Sequence, residues 1–156
     1  VDYRQKQALL KMEKYCAYQE RCYSEAEEKL RHLGLYGNDA GEVLIELSQK
    51  GFLDEERFAG SFCRGKHRLK KWGRLKIIRE LKLRRVSEYC IKSGLKEIDR
   101  NEYRNNLQEL AEKKWNLLSG EKSHLIRYKK TGSYLFAKGY EPDLIKDILE
   151  ELLSQI

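Results

Sequence analysis

The sequence predicts an all-α protein made of three tandem three-helix units that form an elongated, curved helical-repeat body. Three observations carry this expectation. The chain holds a single proline, Pro142, in 156 residues, and no stretch of Val/Ile/Thr alternation marks a strand. Charged residues make up 37% of the chain beside 40% hydrophobic ones, the balance of long amphipathic helices with wide solvated faces. Helix-opening and helix-closing signals also recur at intervals of about 50 residues, the spacing of a repeat. We place the units at 1–53, 54–98 and 99–156.

In the first unit, Ser24 and Glu27 have capping-box spacing and predict the start of a second helix. Gly34 to Gly41, with Gly37-Asn38-Asp39 inside, reads as a loop, and Gly51 as a C-cap. The second unit opens at Leu53-Asp54-Glu55-Glu56-Arg57-Phe58, with Asp54 as cap and Phe58 and Phe62 as core anchors. Projected at about 100° per residue, Phe58, Phe62 and Leu69 share a core stripe. Ile77, Ile78 and Leu81 face inward on the next helix, and Gly94 reads as a helix end. The third unit opens alike, with Asp99 and Glu102 at capping-box spacing and Tyr103 and Leu107 in the anchor places. Pro142 suits a first helical turn, and an apolar face runs from Leu144 and Ile145 to Ile156.

The short second helices are also alike. Glu28–Gly34, Arg79–Arg85 and Ser133–Gly139 align with Leu30, Leu81 and Leu135 in register, 51 and 54 residues apart. Such a small unit buries little apolar surface alone, so neighbours are expected to support one another.

Charge is distributed unevenly. Residues 64–85 hold eleven basic side chains and one acid, Glu80, a charge of +10 against +7 for the whole chain, so the remainder sums to −3. Concentrated positive charge is the footprint of a polyanionic or acidic partner. On the helical projection Arg57, Arg64, Arg68 and Lys71 fall in one line, where like charges repel unless an anion lies beside them. Lys66, Arg74, Lys76, Arg79 and Lys82 extend the basic surface. Trp72, in the turn between the two basic helices, suits stacking on a base; capping the core of the middle unit is the more ordinary use of a tryptophan.

Other functions lack their chemistry. No apolar run approaches the roughly 20 residues that span a bilayer, and the face opposite the charge is core rather than a membrane-binding surface. The opening Val1-Asp2-Tyr3-Arg4 does not read as a signal peptide, and a start on valine leads us to expect native residues ahead of it. Cys16, Cys22, Cys63 and Cys90 form no Cys-x-x-Cys pair, and His32, His67 and His124 lie at no zinc-ligand spacing from them. We expect reduced, mostly buried thiols and no metal. Cys63 lies near Lys66 and His67, which would lower a thiol pKa, but a packed thiol is the plainer reading. Glu27-Glu28, Asp54-Glu55-Glu56 and Glu150-Glu151 sit at caps or on mixed faces rather than as a divalent-metal cluster. The full phosphate-loop pattern Gly-x-x-x-x-Gly-Lys-Ser/Thr is absent: Gly60–Lys66 has the spacing, but His67 follows where Ser or Thr is needed. The chain is not expected to be an enzyme or to hold a cofactor.

Gly51-Phe52-Leu53-Asp54-Glu55-Glu56-Arg57-Phe58-Ala59, Ser61-Phe62-Cys63-Arg64-Gly65-Lys66, Lys71-Trp72-Gly73-Arg74 and Ile77-Ile78-Arg79-Glu80-Leu81 together resemble the signature of bacterial RecX proteins. Cys22-Tyr23-Ser24-Glu25 and the Lys138-Gly139-Tyr140 turn fit the same family, so the resemblance covers essentially the whole chain. It implies tandem three-helix units and a non-enzymatic modulator of the recombinase RecA; the unpaired cysteines lead us to expect a cytoplasmic protein, and nothing in the sequence demands more than a monomer. Such a modulator lodges in the groove of the RecA–DNA filament and inhibits ATPase, coprotease and strand-exchange activity in DNA repair, recombination and the SOS response. Arg57, Arg64, Lys66, Arg68, Lys71, Arg74, Lys76, Arg79 and Lys82 would then meet acidic recombinase surface and single- or double-stranded DNA. Two departures stand out: the glycine-bearing Tyr36–Gly41 segment, and Lys70-Lys71 where the family often has Lys-Gly. The rival reading is a stand-alone helical DNA- or RNA-binding module.

Overall fold

The computed structural model describes all residues from Val1 to Ile156. It contains nine helices and no strand: α1 (Tyr3–Tyr18), α2 (Tyr23–His32), α3 (Gly37–Gln49), α4 (Glu55–Lys70), α5 (Arg74–Leu83), α6 (Glu88–Leu95), α7 (Arg100–Leu117), α8 (His124–Ala137) and α9 (Pro142–Ser154).

The repeat is visible in how the helices begin and end. The first helix of each triplet opens on an aspartate. Asp2 accepts the Gln5 N–H at 2.8 Å, Asp54 that of Arg57 at 3.0 Å, and Asp99 that of Glu102 at 2.9 Å. Each bond satisfies one of the amide donors that a helix start leaves unpaired. The second helices α2, α5 and α8 end alike. Leu30, Leu81 and Leu135 are all fully buried, and four residues later Gly34, Arg85 and Gly139 take φ of +85°, +59° and +101°. The next residue then returns its N–H to the leucine carbonyl: Leu35 to Leu30 at 2.9 Å, Val86 to Leu81 at 3.1 Å, and Tyr140 to Leu135 at 3.2 Å. Its buried side chain closes the cap, as in a Schellman ending.

By packing, the chain divides into two compact units, Val1–Phe62 with Leu81–Gly94, and Cys63–Glu80 with Leu95–Ile156. In the first, α1, α2 and α3 pack on one another around Met12, Leu30, Val43 and Leu47. Phe58 and Ala59 of α4 and Leu81, Val86 and Ile91 are also buried. Tyr23 N–H donates to Glu55 at 2.9 Å, and Ser24 Oγ to the Arg84 carbonyl at 2.9 Å. In the second unit, α7, α8 and α9 pack together, burying Tyr103, Leu107, Trp115, Leu135 and Leu149.

Four local expectations are corrected. The box that opens α2 is Cys22 with Glu25, whose carboxylate accepts the Cys22 N–H at 3.0 Å, not Ser24 with Glu27. Ser24 instead faces Cys22 Sγ at 3.1 Å and the Arg84 carbonyl. Gly37 to Gly41 is the start of α3, not loop, and the turn is only residues 33–36. Gln5 of α1 is buried and fixes this helix start, donating to the Asp39 carbonyl at 3.1 Å and the Glu42 carboxylate at 2.8 Å. Gly94 lies buried inside α6 rather than at a C-cap. Leu69 is 85% exposed, whereas Cys63 and His67 are buried. The inward direction of α4 drifts along Ala59, Cys63 and His67, one step of four residues at a time, and leaves Leu69 outside it.

Candidate nucleic-acid interface

The basic segment is organised around the turn between α4 and α5. α4 closes with Lys71 at φ +56°, a left-handed conformation uncommon outside glycine and asparagine. This is the position where the resembled family often has glycine. The Lys71 N–H reaches the His67 carbonyl at 3.0 Å and the Trp72 N–H the Lys66 carbonyl at 3.3 Å. Gly73 follows in close contact with Gly139, and a Cβ on it would fall on the Gly139 carbonyl. Only glycine allows that approach. It lets Gly73 N–H donate to the Lys138 carbonyl at 2.8 Å and Leu75 N–H to that of Gly139 at 2.9 Å.

A buried polar network underlies the turn. His67 is 1% exposed. Its Nδ1 lies 3.0 Å from the Trp72 carbonyl oxygen, which only accepts, so Nδ1 carries the proton. Nε2 is then the acceptor for the Asn106 amide at 2.9 Å, and Asn106 Oδ1 accepts from Lys71 Nζ at 3.3 Å. Tyr103 stacks near His67, accepts the Arg74 N–H at 2.9 Å and donates to Glu141. Burial, together with the Glu141 carboxylate, pushes the Tyr103 hydroxyl far above the usual phenol range. Tyr140, likewise raised by burial, donates to the Lys71 carbonyl at 2.9 Å. The amides at the start of α5 are thus occupied by the protein's own oxygens, so this helix end offers no anion site of the kind helix N-termini commonly provide.

The nine basic residues singled out in the sequence fall into three groups. Five are ion-paired internally. Arg57 meets Glu20, Arg64 meets Glu97, Arg68 meets Glu102 at 3.3 Å, Lys71 meets Glu109 at 3.2 Å, and Arg74 meets Glu141 at 2.7 Å. The expected like-charge row on α4 is therefore corrected: an acid from elsewhere in the chain faces each member, and no bound anion is needed to relieve repulsion. Arg74 also lies over the Tyr103 ring at 3.8 Å, so it is tied into the internal network. Lys66 and Lys76 place their ammonium groups 5.1 and 4.5 Å from the centre of the Trp72 ring. That ring is half-buried rather than sealed in the core, and it carries two cations. Arg79 and Lys82 are exposed and have no acidic partner. Arg57 and Lys82 belong to the first packing unit, the other seven to the second.

The partners Glu20, Glu97, Glu102 and Glu109 were missed by the sequence reading, because they lie far along the chain from the cations they face. Cys63 is fully buried and its thiol is pushed up to about 12, chiefly by burial, so Lys66 and His67 do not activate it. No helix is long and apolar enough to cross a membrane.

Comparison with known proteins settles the family. Residues 54–95 match the second three-helix domain of RecX, and residues 101–149 match the third. A regulatory protein RecX of Prosthecochloris aestuarii is 30% identical over 140 residues, 90% of this chain and 89% of that protein. The chain belongs to the RecX family. RecX of Clostridium tetani, also a regulatory protein, is 34% identical over 120 residues, 76% of this chain. That match spans 55% of the C. tetani protein. The crystal structure of RecX from Lactobacillus salivarius superposes with a TM-score of 0.85 over 96% of both chains at 23% identity, which shows a shared fold. The P. aestuarii and C. tetani relatives are regulatory proteins.

Proposed function

We propose that this RecX protein regulates the recombinase RecA by binding its filament on DNA. Cations of the α4–α5 segment would meet DNA phosphates and acidic recombinase surface in the filament groove. Bound there, the protein would hold neighbouring subunits and oppose the cycling that ATP turnover needs. ATPase, strand-exchange and coprotease activity would fall together. On this reading the chain acts as a cytoplasmic monomer, through three three-helix copies at 1–53, 54–98 and 99–156, and performs no chemistry of its own.

Family membership carries the regulatory half of this reading. The observation that carries the contact half is the pair Lys66 and Lys76 at the half-buried Trp72 ring, where positive charge and an aromatic face lie together. That same arrangement favours a second reading, a stand-alone module for single-stranded nucleic acid. The test is DNA-dependent ATP hydrolysis by the cognate recombinase, titrated with this protein. We expect turnover to fall at substoichiometric protein, and Lys76→Glu/Arg79→Glu to need at least about tenfold more protein, as two charge-assisted bonds go. Unchanged turnover up to protein levels that coat bare DNA would favour the stand-alone module.

A further inference from the structure

Three carboxylates of the second packing unit face the cations at the C-terminal end of α4 one for one: Glu97 on Arg64, Glu102 on Arg68 and Glu109 on Lys71, the residue that closes the helix. Arg64 and Arg68 lie four apart on α4 and Lys71 follows its last turn, so the three follow one another along about 10 Å of the helix axis. None of the three pairs is buried; the side chains are 35–67% exposed. Glu102 shows where its carboxylate is committed. In a closed capping box it would reach back to the Asp99 N–H, but only the Asp99-to-Glu102 half of the box forms, and the Glu102 carboxylate goes to Arg68.

We infer that Glu97, Glu102 and Glu109 are specificity-determining residues: they occupy the α4 row with internal ion pairs that only a multivalent phosphate chain exchanges. The inference rests on the proposed contact with DNA. A single exposed pair is worth little and is in rapid exchange with solvent. A lone carboxylate or phosphate arriving at one cation therefore gains about what it displaces. A nucleic-acid strand differs in two ways. Its second and third phosphates arrive at high effective concentration once the first is seated. Each phosphate neutralised also releases condensed counterions, a gain the protein's own carboxylates do not provide. The glutamates thus set a threshold. They suppress binding to scattered acidic groups and leave the row available to a continuous polyanion. Lys76 and Arg79, which face none of these glutamates, supply the first encounter.

The test is binding of a fluorescent single-stranded oligonucleotide, bare and recombinase-coated, by the full chain at about 0.15 M salt, where surface charges are screened as in the cell. The triple variant Glu97→Gln/Glu102→Gln/Glu109→Gln is compared with Asp147→Asn/Glu150→Gln/Glu151→Gln. The second set makes the same charge change at exposed α9 positions that hold no ion pair. We expect the first set to tighten binding about tenfold and the second by less than about threefold, since three weak competing pairs together amount to roughly one decade. Glu97→Gln alone, which leaves every helix intact, is expected to give about a twofold share and guards against misfolding of the triple variant. Equal tightening by both sets would make net charge the cause and overturn the proposal, as would no gain from the first set. If neither wild type nor any variant binds bare or coated strand, the proposed function fails as well.

Discussion

Arg85 occupies a backbone position that two other copies of the same turn give to glycine. Gly34 and Gly139 take positive φ there at no steric cost, whereas Arg85 holds φ +59° with a Cβ. Arg85→Gly is therefore expected to stabilise the fold by about 1 kcal/mol, because the Arg85 side chain contributes little beyond an exposed pair with Glu27 at 3.5 Å. Urea unfolding reads this directly. Gly73→Ala is expected to act in the opposite direction, costing about 1–3 kcal/mol as its methyl meets the Gly139 backbone. Gly65→Ala, with open space around its Cβ in mid-helix, should gain about 0.5–1 kcal/mol. The thiols give a pH prediction. Burial holds Cys16 at about 11 and Cys63 at about 12, above the ordinary thiol value of 9.0. Between pH 9 and 11 the unfolded chain loses these protons and the folded chain keeps them, so stability falls as pH rises through that window. Cys63→Ala should flatten this alkaline decline. At neutral pH only the partly exposed Cys90 should react with a thiol reagent before unfolding.

At the scale of the helix, much of the structure was legible. Asp54, Asp99, Pro142 and the register of Leu30, Leu81 and Leu135 act as the sequence indicated, because caps and short-range periodicity are local chemistry. The misreadings came where a distant partner decides. Gly37-Asn38-Asp39-Ala40-Gly41 has loop composition, but Gln5, more than 30 residues away, fixes it as a helix start. Leu69 lies at the projected angle of Phe58, yet by that point α4 has turned His67 inward, toward Asn106 of α7. This contrast is measurable. Phe58→Ala should cost about 3–5 kcal/mol and Leu69→Ala less than about 0.5 kcal/mol. His67→Phe should cost about 1–3 kcal/mol despite its similar shape, because it strands the Asn106 amide and the Trp72 carbonyl without partners. Equal costs for Phe58 and Leu69 would contradict the drift of the buried stripe.

Across the whole molecule, the local excess of positive charge was legible and its compensation was not. A composition count places +10 in residues 64–85, but the glutamates that answer Arg64, Arg68 and Lys71 come from residues 97–109, and only folding brings them there. The same is true of Trp72, whose two lysines are six residues before it and four after, on different helices. On the proposed function the protein distinguishes a filament from naked DNA: the bare strand offers phosphates alone, and the filament adds protein surface. The measurement that tests this most directly is binding to single-stranded DNA, bare and coated with cognate recombinase and a slowly hydrolysed ATP analogue, over a salt series. The account predicts tighter binding to the coated strand that persists as salt rises. Equal or stronger binding to bare DNA, with a log–log salt slope near the roughly −4 of six single-strand phosphate contacts, would contradict it.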